Sequence, residues 1–287
     1  MAQNRKITIS GLNIVTHPHS PQKYVDLFRS AYRMKKSVAL RTTQRLMIGE
    51  LRRLDSDKEM IEGIYGRIYR FDQIDPNAPW FNVETNEVAT QDEIAAITIP
   101  DELKPNLAMS DYVFYPRTHK LYYVSYHTGV VLSPGSLLKL FDNLFSTPTI
   151  TKEFGKVEIT IIPDRTQLSK ILALHRLAKL TIDVVRPNPD DNHDDEEEVF
   201  RRFDRLNVRR IFQVYTAESM ESIKPDHDTT LLAKVAADNG KVTAIGYTAS
   251  GQRVEESTSY APWKESITYS PDEQNSPDVL VGYTSAL

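Results

Sequence analysis

The strongest constraint on the fold is the way two apolar periods take turns along this 287-residue chain. From Lys6 to Val15, the residues Ile7, Ile9, Leu12, Ile14 and Val15 stand among polar neighbours at the period of a half-buried strand, with Gly11 a natural place for a bulge. Ser20 and Pro21 then supply an N-cap and a first helical position, and Tyr24, Leu27, Phe28 and Ala31 recur at helical spacing. Thr43 to Leu54 and Ile61 to Phe71 return to strand patterning around the polar turn Asp55-Ser56-Asp57-Lys58. This β-α-β-β order is half of a ferredoxin-like module, which carries no functional message of its own.

From Asp72 to Met109 the pattern loosens under Pro76, Pro79, Pro100 and Pro105, so a loop-rich excursion is expected, with Trp80 in it and one brief strand at Ala96 to Ile99. Tyr112 to Tyr115 and Lys120 to His127 make a hairpin, and Ser133-Pro134 starts a helix through Leu137, Leu138, Phe141 and Phe145. A strand at Lys156 to Ile162, a helix at Gln167 to Leu177 and a strand at Lys179 to Val185 follow. Pro187-Asn188-Pro189 breaks the chain. Beyond it come a strand at Arg210 to Thr216, a helix at Thr229 to Ala237 and a hairpin of Lys241 to Ala249 with Gln252 to Thr258. The expected fold is α+β, with mixed or antiparallel sheets and flanking helices. A main domain spans 1–186, a smaller α+β domain 187–262, and a tail 263–287 that is disordered or pinned by a neighbour.

Composition removes several function classes. The chain has no cysteine, which excludes disulfides, thiolate metal sites and a cysteine nucleophile, and fits a cytoplasmic protein. No apolar run is long enough to cross a bilayer, so no membrane partner is expected. Neither a glycine-rich phosphate loop nor a nucleophile elbow occurs, which leaves ATP hydrolysis and serine hydrolysis unsupported. No cofactor is expected.

The net charge of −4 conceals an uneven distribution. Lys23, Arg29, Arg33, Lys35, Lys36, Arg41, Arg45, Arg52, Arg53, Arg67 and Arg70 crowd one segment of an acidic protein, and positive charge gathered on one face attracts polyanions. Lys35, Lys36, Arg41 and Arg45 fall between the first helix and the next strand, where loops present side chains to ligands. Tyr65, Arg67 and Tyr69 share one strand face, an arrangement that can stack bases while holding phosphates. The bland alternative is a half-buried sheet with core tyrosines and solvated arginines.

Other clusters weigh less. The acidic run from Asp190 to Glu198 followed by Arg201, Arg202, Arg205, Arg209 and Arg210 has the sign order of an exposed, self-paired helix, with Glu197/Arg201 and Glu198/Arg202 four apart. His17 and His19 precede the first helix without a third metal ligand at a recognisable spacing, and there they can contact phosphate at the helix N-terminus. Asp164, Asp190, Asp191 and Asp226-His227-Asp228 begin metal-dependent nuclease patterns that none of them completes.

Several short blocks in order along the chain resemble a bacterial and phage family catalogued as a domain of unknown function and associated with phage defence. They are Asn13 to His19, Trp80-Phe81-Asn82, Ile99-Pro100 with Pro105-Asn106, Leu132-Ser133-Pro134, Pro187 to Asp190, and Asn239-Gly240 through Gly246, Gly251 and Ser257-Thr258. In layout more than in residues, the chain is also similar to the phage-exclusion protein RexA, which implies a defence role with sequence-independent DNA binding as a dimer. The acidic insert before Phe200 departs from that layout. The expectation is therefore a sequence-tolerant nucleic-acid-binding protein, DNA favoured, acting as a homo-oligomer and with a partner protein from the same defence locus. Its interface residues are Lys35, Lys36, Arg41, Arg45, Arg52, Arg53, Tyr65, Arg67, Tyr69, His17 and His19. The alternative is an interaction protein whose basic face docks an acidic partner, including its own acidic segment in a second copy.

Overall fold

A computed structural model of the chain describes residues 3–75, 78–97, 99–100, 102–186 and 194–287. The expected break at Pro187-Asn188-Pro189, with Asp190 and Asp191, lies outside the described residues. The first half runs β1 (Arg5–Thr16), α1 (Pro21–Arg33), β2 (Val38–Ala39), β3 (Gln44–Arg53), β4 (Ile64–Asp72), β5 (Phe81–Asn82), β6 (Glu87–Val88), α2 (Gln91–Ala95), β7 (Ala108–Tyr115) and β8 (Lys120–His127). It continues with β9 (Val130–Val131), α3 (Pro134–Phe145), α4 (Pro148–Phe154), β10 (Val157–Ile161), α5 (Arg165–Leu172) and β11 (Arg176–Val185). The last part comprises α6 (Asp194–Leu206), β12 (Arg210–Thr216), α7 (His227–Asp238), β13 (Gly240–Tyr247), β14 (Arg253–Ser257), a 3-10 turn (Thr258–Tyr260), β15 (Glu265–Tyr269) and α8 (Ser276–Thr284).

The fold is α+β, and every pairing within its sheets is antiparallel. A large sheet of nine strands has the order β10-β1-β8-β7-β4-β3-β2, with β15 pairing β1 and β9 pairing β8. The opening keeps its β-α-β-β element order, but the hairpin β7–β8 sits between β1 and β4, so the opening strands do not form a ferredoxin-like unit by themselves. A second sheet of four strands has the order β12-β11-β13-β14. Strand β11, placed by the sequence on the near side of the 187 boundary, is thus a central strand of the smaller sheet.

Helix starts follow the capping chemistry of the sequence. Ser20 accepts from the Lys23 amide and Ser133 from the Ser136 amide, each just ahead of a proline in the first turn. In the excursion, Thr90 and Glu93 form a reciprocal capping box that starts α2, and Ala96 and Ile97 close it with i−4 and i−3 bonds, so they are not in the strand expected at Ala96 to Ile99; Ile99 is in no strand, and Thr98 lies outside the described residues. Helix α4 had no place in the sequence pattern, being a short segment flanked by Pro148 and Gly155.

Both faces of the large sheet are covered. Leu12, Ile14, Ile48, Ile64, Ile68 and Phe114 pack against Tyr24 and Phe28 of α1 and Leu137, Phe141 and Phe145 of α3. On the opposite face Ile7, Ile9, Tyr65, Val113 and Val124 pack under Tyr269 of β15 and Val279 and Leu280 of α8. The expected tail after 262 is therefore a strand and a helix that complete a core. Its apolar residues were too sparse to show a period, and the partner face that selects them lies far back in the sequence. This cover makes β1 buried on both sides, where alternation had suggested one buried face. The bulge also moves: the register of β1 against β8 shifts between Thr8 and Ile9. Gly11 instead admits the Ile162 side chain, whose Cδ1 would lie 2.6 Å from an added Cβ.

Among the described residues, the smaller sheet has an apolar cover on one face. Leu180, Ile182, Val184, Val242 and Ala244 pack against Leu168 and Ile171 of α5, Val199 and Phe203 of α6 and Leu231 and Leu232 of α7.

Candidate functional site

The basic segment separates into two places with different electrostatics. On β3, β4 and β7, direct cross-strand partners set Arg52 beside Tyr65, Glu50 beside Arg67 and Arg67 beside Asp111. The Tyr65 hydroxyl donates to Asp111 Oδ1 at 2.5 Å, and Arg67 Nε donates to the same oxygen at 3.0 Å. Arg67 Nη1 also lies 3.2 Å from Glu50 Oε2, while Arg52 Nε donates to Glu50 Oε1 at 3.0 Å. Arg52 covers the Tyr65 ring with its guanidinium carbon 4.0 Å from the centroid. Burial, then the bond to Asp111, pushes the Tyr65 hydroxyl well above its ordinary range, so it stays a neutral donor.

This network departs from an open stacking face. Tyr65 is 1 % exposed and belongs to the core under α8, and Tyr69 lies flat over Gly49, where an added Cβ would meet its ring carbons at 2.2 Å. Arg67 and Arg52 are neutralised by Glu50 and Asp111, and Arg70 donates to the Val131 carbonyl at 2.7 Å. Glu50 stands two residues before Arg52 on the same strand face, a signal present in the sequence. Asp111 had none, because its role arises from the pairing of β4 with β7.

The second place is the edge of the large sheet at β2. Lys35 and Lys36 leave the C-terminus of α1, with Lys35 in the left-handed region at φ 47, and lead directly into β2. Arg41 follows on the tight return to β3, where the Leu40 and Arg41 amides both reach the Gln44 carbonyl. Lys35, Lys36 and Arg41 are exposed and, among the described residues, make no ion pair. Arg45 is half-buried, held by Nε to Ser37 Oγ at 2.8 Å, and Lys139 of α3 reaches the Leu40 carbonyl from the next element. Arg53, also exposed, lies at the far end of β3 from this cluster.

His17 and His19 sit elsewhere again, at the joint between the sheets. The His17–Pro18 bond is cis, and Lys23 Nζ donates to the His17 carbonyl at 3.2 Å. Burial chiefly, then the charges of Arg209, Arg186 and His19, hold His17 below its ordinary value, with Glu158 opposing. His19 Nδ1 lies 3.0 Å from the Tyr24 hydroxyl, and its ring meets His119 edge-on at 5.6 Å. His119 Nδ1 donates to Asn13 Oδ1, and Asn13 Nδ2 donates to Asn239 Oδ1 at 2.9 Å across the joint. Arg209 closes it with Glu158 at 3.2 Å. These residues tie the two sheets together.

Two of the carboxylates that began nuclease patterns, Asp164 and Asp226, have structural duties. Asp164 caps α5 through the Thr166 amide and Asp226 caps α7 through the Thr229 amide, and these bonds lower both carboxyls. Among the described residues, no three His, Asp or Glu side chains are placed to hold a metal ion. On α6, Glu197 and Arg201 form the expected pair at 3.8 Å. No described helix is long and apolar enough to cross a membrane.

No curated protein sequence matches the chain significantly. The family described as a domain of unknown function, DUF4747, matches residues 5–285, which takes in both sheets, the joint between them and the closing helix α8. By that near-complete match the chain belongs to the DUF4747 family.

Proposed function

We propose that this protein binds nucleic acid without strong sequence preference through the cationic edge at β2, as a sensor or effector in anti-phage defence. One observation carries the binding: Lys35, Lys36 and Arg41 are exposed and carry no ion pair among the described residues, while Arg52 and Arg67 beside them in sequence are neutralised. Charges left uncompensated on a surface edge act on the phosphate backbone, which carries affinity and little sequence information. Cations flanking a two-residue edge strand also discourage edge-to-edge pairing, so the same residues protect the sheet. The defence setting rests on the resemblance of the Asn13 to His19 block and its companions.

Fluorescence anisotropy with labelled DNA at about 50 mM and 200 mM salt tests the reading, since phosphate contacts weaken steeply over that range. Lys36→Glu with Arg41→Glu is expected to weaken binding at the lower salt and flatten the salt dependence. Absence of binding by the wild-type protein at low salt, or indifference to this double substitution, overturns it. Salt-sensitive self-association without DNA affinity transfers the edge to the acidic-partner alternative.

A further inference from the structure

Among the described residues, one face of the smaller sheet has no apolar cover. Its side chains are the alternates of the core residues, and cross-strand pairing arranges them in rows: Phe212, Asp183 and Lys241; Val214, Thr181, Thr243 and Ser257; Thr216, Lys179, Ile245 and Glu255; and finally Arg176, Tyr247 and Arg253. Helices α5, α6 and α7 all draw on the opposite side chains of these strands. Phe212 is 62 % exposed and Val214 47 %, an unusual placement for an aromatic in a sheet whose other face is fully packed. Tyr247 stands at the other end of the face under Arg176, whose guanidinium carbon is 3.7 Å from the ring centroid.

We infer that this face is a platform for single-stranded nucleic acid, with Phe212 and the Arg176–Tyr247 stack receiving bases and Lys179 and Arg253 meeting phosphates. The inference rests on the nucleic-acid reading above and names the strandedness of the ligand and a second contact surface. Charge selects this occupant. The acids on the face are Asp183, bound by Arg210 whose Nε donates to it at 2.6 Å, and the exposed Glu255; against them stand Arg176, Lys179, Lys241 and Arg253 besides Arg210, of which Lys179 and Arg253 are exposed and make no ion pair among the described residues, so the face is cationic in balance. Next to the Phe212 row, Val214, Thr181 and Thr243 are small and uncharged, while Ser257 at the end of that row is fully buried. Six residues of β13 separate the Phe212 row from the Tyr247 row, roughly 20 Å at about 3.3 Å per residue. Exposed aromatics with flanking cations on a sheet recognise unstacked bases, which a duplex keeps inside its stack.

The test measures anisotropy of a labelled single strand of about 16 nucleotides, the upper end of what one small platform covers, against a duplex of the same length. Phe212→Ala is expected to weaken the single strand roughly tenfold and leave the duplex unchanged, in line with the loss of one base stack. Lys179→Glu with Arg253→Glu is expected to weaken it further and reduce its salt dependence. Phe212 is exposed, and an unchanged thermal melt of Phe212→Ala confirms the fold. Wild-type single-strand affinity in these variants, with loss in Lys36→Glu/Arg41→Glu, overturns the platform and leaves the edge reading standing. Absence of binding to either ligand by the wild type overturns both. A dimer seen by light scattering that Phe212→Ala dissolves, with single-strand affinity unaltered, assigns the face to a second copy and overturns the platform.

Discussion

The two sheets carry similar residue patterns to opposite ends. On β4 of the large sheet, Tyr65, Arg67 and Tyr69 alternate outward from the α1 side, yet α8 covers Tyr65, and Glu50 and Asp111 neutralise the arginines. On β12 of the smaller sheet, Arg210, Phe212 and Val214 alternate in the same way, and the aromatic stays 62 % exposed. Acids from neighbouring strands stand on both faces, Glu50 and Asp111 on one and Asp183 and Glu255 on the other, so the difference lies in the later element that packs on the first. Surface chemistry is thus decided by the cover of a face as much as by the residues on it.

The largest expected effect comes from removing the cover. Leu280 is fully buried between α8 and the large sheet, so Leu280→Ala should cost about 3 kcal/mol, read as a lowered midpoint in urea. An unchanged midpoint would mean that α8 contributes no core, and the contrast between the sheets would collapse. Next is Asp111→Ala, which leaves the Tyr65 hydroxyl without its acceptor and Arg67 with Glu50 alone. About 2 kcal/mol of destabilisation is expected from the unsatisfied donors, and Asp111→Asn should recover part of it. Equal stability of the alanine variant and wild type would show that the network is solvated and the face open.

A smaller effect is expected at the joint. Because His17 is held below its ordinary 6.5 in the folded chain, the unfolded chain binds more protons as pH falls beneath that value. Its contribution is therefore present above about pH 6.5 and lost as the pH drops through the lower folded value. Urea midpoints followed from neutral to acidic pH should fall less steeply in His17→Gln; identical slopes would remove His17 from the joint's pH response. Smallest of all is Phe212→Ala, expected to change stability by less than about 0.5 kcal/mol because the ring touches no core. A loss comparable with Asp111→Ala would show that the smaller sheet is covered as the larger one is.

Much of the local structure was legible in the chain. Ser20-Pro21 and Ser133-Pro134 announced α1 and α3, and the hairpins β7–β8 and β13–β14 followed from alternation and turn residues, because capping and strand periodicity are short-range effects. The exposed cations at Lys35, Lys36 and Arg41 were legible too, since a loop between two elements rarely has anywhere else to put charge. Which of the two readings of Tyr65 holds, core or stacking, was not legible for a long-range reason: its cover, α8, and its acceptor, Asp111, come from parts of the chain that no local window joins.

By itself, the sequence determined many of the elements, among them α1, α3 and the hairpins β7–β8 and β13–β14, together with the uneven charge, all set by residues within a few positions of one another. Only the tertiary structure decided that β7 and β8 insert between β1 and β4, that the last residues complete the large core, and that β11 belongs to the smaller sheet. Those outcomes depend on which apolar faces meet when the chain collapses. Burial is non-directional and has no sequence spacing of its own, so the choice between a buried and an open strand face is made by the whole chain at once.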